Sequence, residues 1–331
     1  MELIDQFGRT VRKLRISVTD RCNFRCVYCM PAGQIEWLPR AELLTYEEIA
    51  RLARIMVGMG VEKVRLTGGE PLARRDLDRL VALLARIEGL RSISMTTNGY
   101  WLPQMARRLR EAGLGSVNIS LDTLRRERFV ELTRRDYFSR VLEGIEAARE
   151  AGLGPIKINA VLMRGINDDE VGDFARWAAE MGFEVRFIEF MPLDGDRRWN
   201  RDRVVTAGEI LERLQQQLGP VEPLNNDACD PARLYRVRTG SGREATVGII
   251  PTVSRPFCQH CDRIRLTADG HVRNCLFAVE EQDLKPLLRG GADDRTLAGA
   301  IAKAVWVKWK GHLINLPGFE RPQRAMYAIG G

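Results

Sequence analysis

The sequence predicts an α/β protein in which six strand–helix units build a parallel sheet and a looser C-terminal extension follows. Three observations lead there. Short β-branched or apolar runs alternate with helix-period segments from about Leu14 to Met191; polar and glycine-rich groups fall directly after the strand runs; and the alternation loosens after Pro192. Six repeats of strand, helix, strand imply parallel strands. With that many units, closure or partial closure into a β/α barrel competes with an open doubly wound sheet.

Strands are expected near Leu14–Val18, Lys63–Thr67, Ser92–Thr96, Ser116–Ser120, Ile156–Val161 and Glu184–Glu189. Amphipathic helices fit between them at Tyr46–Val57, Asp76–Ile87, Leu102–Ala112, Ser139–Ala151 and Asp169–Met181, and glycines that can end a helix follow several of these. After the strands come Asp20-Arg21-Cys22, Gly68-Gly69-Glu70-Pro71, Thr97-Asn98-Gly99 and Leu121-Asp122. Strand ends of a parallel sheet share one face, so these groups converge in space. A boundary is expected at Pro192, dividing a domain over 1–192 from one over 193–331. The second carries Asp194-Gly195-Asp196, a helix candidate at Ala207–Leu218, a polar stretch at Asn225–Pro231 and strands such as Ala245–Ile250 and Arg263–Leu266.

The 331 residues are 45% hydrophobic, enough for a large core, and carry a net charge of +7. That charge suits nucleic acid, an anionic membrane surface or a phosphorylated substrate. Arginine supplies all but seven of the 51 basic residues, so a bias of composition accounts for it equally well until particular arginines are placed. No run approaches eighteen apolar residues, and the first residues, Met1 to Asp5, lack a basic leader and an apolar signal core. A cytoplasmic protein that neither enters a membrane nor binds nucleic acid is expected.

Seven cysteines in such a chain point to metal or catalysis before disulfides. Cys22, Cys26 and Cys29 place three thiolates on one short loop, able to ligate three irons of a cubane and leave the fourth open to a small molecule. A zinc site completed from elsewhere is the rival, but zinc ribbons pair two C-x2-C knuckles. Cys258, Cys261 and Cys275 form a second triplet, for which half a zinc site with His260, His271 or Cys229 as fourth ligand stays open. Otherwise Cys229 has no ligand role and is expected to be a free thiol.

Cys22-Asn23-Phe24-Arg25-Cys26-Val27-Tyr28-Cys29 resembles the signature of the radical S-adenosylmethionine superfamily. The resemblance implies an incomplete (β/α)6 barrel, a [4Fe-4S] cluster and S-adenosylmethionine. Gly68-Gly69-Glu70-Pro71 resembles the companion motif that receives the methionyl amine. The two triplets, Arg263 and Arg265 after Cys261, and the ending Ile329-Gly330-Gly331 together resemble the GTP 3′,8-cyclase family over nearly the whole chain.

That likeness implies a second [4Fe-4S] cluster in a C-terminal extension, GTP as substrate, and a lyase reaction that opens molybdenum cofactor biosynthesis. It implies Tyr28, Gly69, Ser120 and Met191 for S-adenosylmethionine, and Arg15, Arg65, Thr96, Lys157, Arg263 and Arg265 for GTP. Gly330 and Gly331 would enter the barrel and help place the substrate, and Arg186, a charge on a barrel strand, joins them as a candidate catalytic residue. Guanidinium forks suit phosphate oxygens, and nothing here resembles a P-loop. Lys157 reads equally as a solvated edge residue. Tyr327 and Ala328 stand where smaller or more polar residues are expected.

Expected partners are an electron donor such as flavodoxin or ferredoxin and, transiently, the next enzyme, cyclic pyranopterin monophosphate synthase; a homodimer is compatible with the sequence. Two rival classes are a radical enzyme acting on a peptide through an auxiliary cluster, which usually carries more cysteines, and a zinc-ribbon nucleic-acid-binding protein, for which the arginines are too dispersed.

Overall fold

The structure, a computed structural model, describes residues 2–225 and 227–331, so one residue of the polar stretch 225–231 and the first residue lie outside the described residues. Alternation on the strands dictates the fold. In β1 (Lys13–Ser17), β2 (Lys63–Thr67), β3 (Ser92–Thr97), β4 (Ser116–Ser120), β5 (Lys157–Leu162) and β6 (Glu184–Glu189), Leu14, Ile16, Val64, Leu66, Met95, Val117, Ile119, Ile158, Ala160, Val185 and Phe187 are fully buried. These occupy one face of a period-two pattern, packed under helices. The residues between them are polar: Arg15, Arg65, Asn118, Asn159 and Arg186. A parallel sheet covered by helices on its apolar side must turn that polar face to an interior cavity.

The covering helices are α1 (Tyr46–Gly58), α2 (Leu77–Ala85), α3 (Leu102–Glu111), α4 (Arg126–Thr133), α5 (Phe138–Glu150) and α6 (Val171–Met181). A capping box starts α1: the Thr45 hydroxyl accepts from the Glu48 amide while the Glu48 carboxylate accepts from the Thr45 amide. The observed strands agree with the expected ones to within a residue at each end; α4 was not expected, and its weak apolar periodicity explains why.

The C-terminal extension contributes α7 (Ala207–Leu218), β7 (Val221–Pro223), β8 (Arg233–Arg238), β9 (Glu244–Ile250), β10 (Arg263–Leu266), β11 (His271–Arg273), β12 (Gln282–Asp283), α8 (Lys285–Arg289), α9 (Asp294–Trp306) and α10 (Met326–Ile329). Among the described residues the strands form one twelve-stranded sheet, in the order β12-β11-β10-β1-β2-β3-β4-β5-β6-β9-β8-β7. β10 pairs in parallel with β1, and β9 with β6, so the extension lengthens the parallel run at both ends. The sheet curls. Arg265 on β10, Arg15 on β1, Arg65 on β2, Asn159 on β5, Arg186 on β6 and Ile250 on β9 all line one cavity. β12 and β7 end the order without closing it, so the barrel is incomplete, as the resemblance implied. Among the described residues no helix is long and apolar enough to cross a membrane.

Candidate active site

Register sets the floor of the cavity. Arg265, Arg15 and Arg65 stand opposite one another on three adjacent parallel strands, and Ser94 continues the row. Neighbouring strands lie about 4.8 Å apart, so three guanidiniums crowd together. Burial, joined by repulsion from Arg265, Arg65 and Arg263, holds Arg15 well below the usual arginine range. Burial and the Arg186 charge lower Arg65 to about 10, and burial with the Arg273 charge lowers Arg265 to about 9. A row of cations in a low-dielectric cavity is costly without an anion, which makes this surface a receptor for one. Arg65 donates to Ser94 Oγ at 3.2 Å, and Arg263 donates to the Cys229 carbonyl at 2.6 Å and lies over the Phe257 ring. Arg186 is buried and pairs with Glu184.

Lys157 sits lower. Its Nζ is 3.9 Å from Glu184, and the side chain does not line the cavity. Burial and the Arg186 charge lower its pKa.

The first cysteine triplet closes one end. Phe24 N–H donates to Cys22 Sγ at 3.3 Å, and the Asn98 amide nitrogen stands 3.8 Å from the same sulfur. Burial pushes the Cys22 thiol up to about 12, and raises Cys26 and Cys29 as well. The acidic neighbours Glu70 and Asp122 add to this, Glu70 at Cys22 and Asp122 at Cys26 and Cys29. Gly69 explains its own identity: a Cβ there would press into the Asp20 and Arg21 carbonyl oxygens, and the Gly69 amide donates to the Thr19 carbonyl at 2.7 Å. The glycine turn thus lies flush against the cysteine loop. Glu70, buried and pushed up to about 7 by burial, accepts from Thr97 Oγ1 at 2.7 Å and from the Asn98 amide at 2.7 Å. Tyr28 donates its hydroxyl to Asp122 at 2.7 Å, and burial pushes Asp122 up to about 6.

The second triplet faces the cavity from the extension. Cys258 and Cys275 are raised by burial. Burial also pushes Cys261 up, but the Lys308 ammonium and Arg263 outweigh it and hold this thiol below its ordinary value. The loop leading to it is anchored by Glu189 at the end of β6. This buried carboxylate accepts from the amides of Val253 at 2.6 Å, Ser254 at 2.7 Å and Ala207 at 2.8 Å.

The donor sets suit iron–sulfur clusters. All seven cysteines are free, and each triplet gathers its thiols around the same cavity. His271 faces Asp269 and Asp283 rather than the cysteines, and the Cys229 backbone serves Arg263.

The C-terminal tail reaches the same place. Arg265 donates to the Gly330 carbonyl, and Thr67 Oγ1 donates to the Gly331 carbonyl at 2.7 Å. Gly330 has φ +78°, and a Cβ there would stand 2.7 Å from Thr67 Cγ2. Tyr327 packs edge-on against Trp37, with ring centroids 5.9 Å apart, and its backbone hydrogen-bonds Cys29 of the first cysteine loop.

Of the residues singled out in the sequence, the six triplet cysteines, Tyr28, Gly69, Ser120, Met191, Arg15, Arg65, Thr96, Arg263, Arg265, Arg186 and Gly331 line one cavity. Lys157, two residues before Asn159 on the same face of β5, and Gly330, whose carbonyl accepts from Arg265, are not among the lining residues. Sequence reasoning passed over Asn118 and Asn159 on the inner faces of β4 and β5, although their period-two alternation with buried apolar residues could have found them. It placed Asn98 and Asp122 among the polar groups that converge after the strand ends without giving either a role, and it missed His312, which lines the cavity and whose Nε2 has no hydrogen-bond partner among the described residues.

The Radical SAM superfamily pattern matches residues 16–178, and the pattern Molybdenum Cofactor Synthesis C matches residues 183–314. A GTP 3′,8-cyclase of Rhodopirellula baltica is 48% identical over 331 residues, covering 99% of this chain and 92% of that protein. One of Streptomyces coelicolor is 50% identical, covering 99% and 96%. The chain belongs to the GTP 3′,8-cyclase family. Family membership makes it a radical S-adenosylmethionine enzyme, with a [4Fe-4S] cluster and S-adenosylmethionine as cofactors. Among solved structures, Streptococcus suis SuiB bound to S-adenosylmethionine shares the fold, with a TM-score of 0.61 and 14% identity over 97% of this chain and 75% of that one.

Proposed function

We propose that this protein is a GTP 3′,8-cyclase that removes the ribose 3′ hydrogen of GTP and joins C3′ to guanine C8. The product is (8S)-3′,8-cyclo-7,8-dihydroguanosine 5′-triphosphate, and the reaction opens molybdenum cofactor biosynthesis. Its single strongest support is the polarity of one cavity: acidic groups beside one cysteine triplet, and a row of arginines beside the other.

Cys22, Cys26 and Cys29 would hold the first cluster, and Cys258, Cys261 and Cys275 the second. When bound, the first cluster and S-adenosylmethionine supply the 5′-deoxyadenosyl radical. Tyr28, Gly69, Ser120 and Met191 would surround the cofactor, and the missing side chain of Gly69 lets the glycine turn lie against the Asp20 and Arg21 carbonyls of the cysteine loop. Asp122 fixes the Tyr28 hydroxyl. Arg15, Arg65, Arg263 and Arg265 would bind the triphosphate through charge-assisted hydrogen bonds, with Thr96 and Lys157 as further contacts and Arg186 beside them. Gly330 and Gly331, held by Arg265 and Thr67, would place the ribose. A boundary at Pro192 would leave the cofactor residues in the first part, while GTP would be held from both, by Arg15, Arg65, Thr96 and Lys157 on the first and by Arg263 and Arg265 on the second.

Further parts of this reading are a flavodoxin or ferredoxin as electron donor, a cytoplasmic location, transient contact with cyclic pyranopterin monophosphate synthase, and a homodimer. Anaerobically reconstituted protein should contain about eight irons and eight sulfides, as two cubanes. With reductant, S-adenosylmethionine and GTP, it should form cyclised nucleotide and 5′-deoxyadenosine in equal amounts. Stoichiometric zinc without iron, or no consumption of GTP, would overturn the proposal.

A further inference from the structure

Lys308 follows α9 and is 3% exposed. Proteins rarely bury an ammonium without a counter-charge. Its hydrogen-bond acceptors among the described residues are the Arg263 carbonyl at 2.7 Å, the Cys261 carbonyl at 3.1 Å and Cys261 Sγ at 3.4 Å. Two neutral carbonyls satisfy donors but cannot balance a charge. The partner that can carry one is the Cys261 sulfur.

The surrounding backbone is braced to keep the ammonium there. Arg9, paired with Asp5 at 2.6 Å, donates to the carbonyls of Cys258 at 2.6 Å, Trp309 at 2.5 Å and Lys310 at 2.9 Å, and Gln6 donates to the Lys308 carbonyl at 3.3 Å. Among the described residues no ammonium or guanidinium hydrogen-bonds a sulfur of the first triplet. Cys22 Sγ accepts from the neutral Phe24 and Asn98 donors, and the Arg25 guanidinium, whose charge is felt at Cys22, donates to the Cys22 carbonyl at 2.8 Å instead. Lys308 stands behind Cys261 rather than among the residues lining the cavity, and works through Cys261.

We infer that Lys308 is a positioning residue for the second cluster: its ammonium donates an N–H···S hydrogen bond to the Cys261 thiolate, offsets the charge of the cluster, raises its reduction potential and helps retain its iron. This rests on the reading that Cys258, Cys261 and Cys275 hold a cluster. Cluster potentials follow net charge and hydrogen bonds to sulfur, and partners of metal ligands tune affinity.

The test is a potentiometric EPR titration, with iron and sulfide counts, of anaerobically reconstituted parent protein and of Lys308→Met and Lys308→Arg. The parent comes first: if it carries only one cluster, the reading of the second triplet fails, separately from the role of Lys308. Given two clusters, Lys308→Met should shift the second midpoint negative by about 59 mV or more, a tenfold change in the one-electron ratio of reduced to oxidised cluster, or should lose iron from that site alone. The first cluster and reductive cleavage of S-adenosylmethionine should survive. Lys308→Arg should stay within that margin of the parent. A Lys308→Met protein with the parent's potential and iron content, or one that loses both clusters together as a packing defect would, overturns the inference.

Discussion

The two cysteine triplets face one cavity but live in opposite electrostatic surroundings. Around Cys22, Cys26 and Cys29 the charged neighbours include Glu70 and Asp122, and all three thiols are raised. Around Cys258, Cys261 and Cys275 stand Arg9, Arg263, Arg265 and Lys308, and Cys261 is held down. An acidic end suits a sulfonium with a free amine, and a basic end suits a triphosphate. On the proposed reading this cavity would sort its two ligands by charge, with the Gly330-Gly331 tail held beside them by Arg265 and Thr67.

Breaking the basic end outright should have the largest effect. Replacing Cys258, Cys261 and Cys275 together by alanine is expected to abolish cyclised nucleotide, measured by chromatography, while 5′-deoxyadenosine still forms at the intact acidic end. Loss of both products would mean that the two ends do not act separately.

The next largest concerns the tail between them. Gly330→Ala places a methyl group 2.7 Å from Thr67 Cγ2 at a left-handed φ, so the tail must shift. Displacing a reacting atom by about an ångström can cost on the order of a hundred-fold in rate. Cyclisation should fall by about that factor, both clusters should persist, and 5′-deoxyadenosine should exceed product. A parent-like rate would reduce the tail to packing.

Smaller still is the loss of single cations. Arg15→Ala removes a charge-assisted contact worth about 1.5–3 kcal/mol, so calorimetry should show GTP affinity weakened roughly ten- to a hundred-fold. S-adenosylmethionine affinity should not move. Arg265→Ala should cost more, because it also releases the Gly330 carbonyl.

The smallest expected effect sharpens the acidic end. The Glu70 carboxyl is raised from 4.5 to about 7 by burial, so the folded chain binds this proton more tightly than the unfolded chain. Its contribution to stability is fully present below about pH 4.5 and is lost as pH rises through about 7. In urea titrations of the metal-free chain, stability should decline between about pH 4.5 and about pH 7, and Glu70→Gln should flatten that decline. An unchanged slope in the variant would assign the dependence elsewhere.

The architecture was legible because each central strand carries a clean period-two pattern and each loop motif follows a strand end directly. Cys22 to Cys29 and Gly68 to Pro71 are local in sequence, so their chemistry could be read without coordinates. The basic end was only half legible. Arg263 and Arg265 stood out beside Cys261, yet nothing in the sequence says that β10 pairs with β1 and so sets Arg265 beside Arg15. Lys308, Arg9 and Glu189 escaped for the same reason. Each acts across 47, 249 or 64 residues of chain, on a backbone or sulfur partner that pattern reading does not see.

The most direct test of charge sorting along one cavity is an EPR comparison of the reduced parent protein with S-adenosylmethionine alone and with GTP alone. S-adenosylmethionine should perturb the signal of the Cys22, Cys26 and Cys29 cluster only, and GTP that of the Cys258, Cys261 and Cys275 cluster only. GTP that altered the first cluster's signal and left the second untouched would contradict the account.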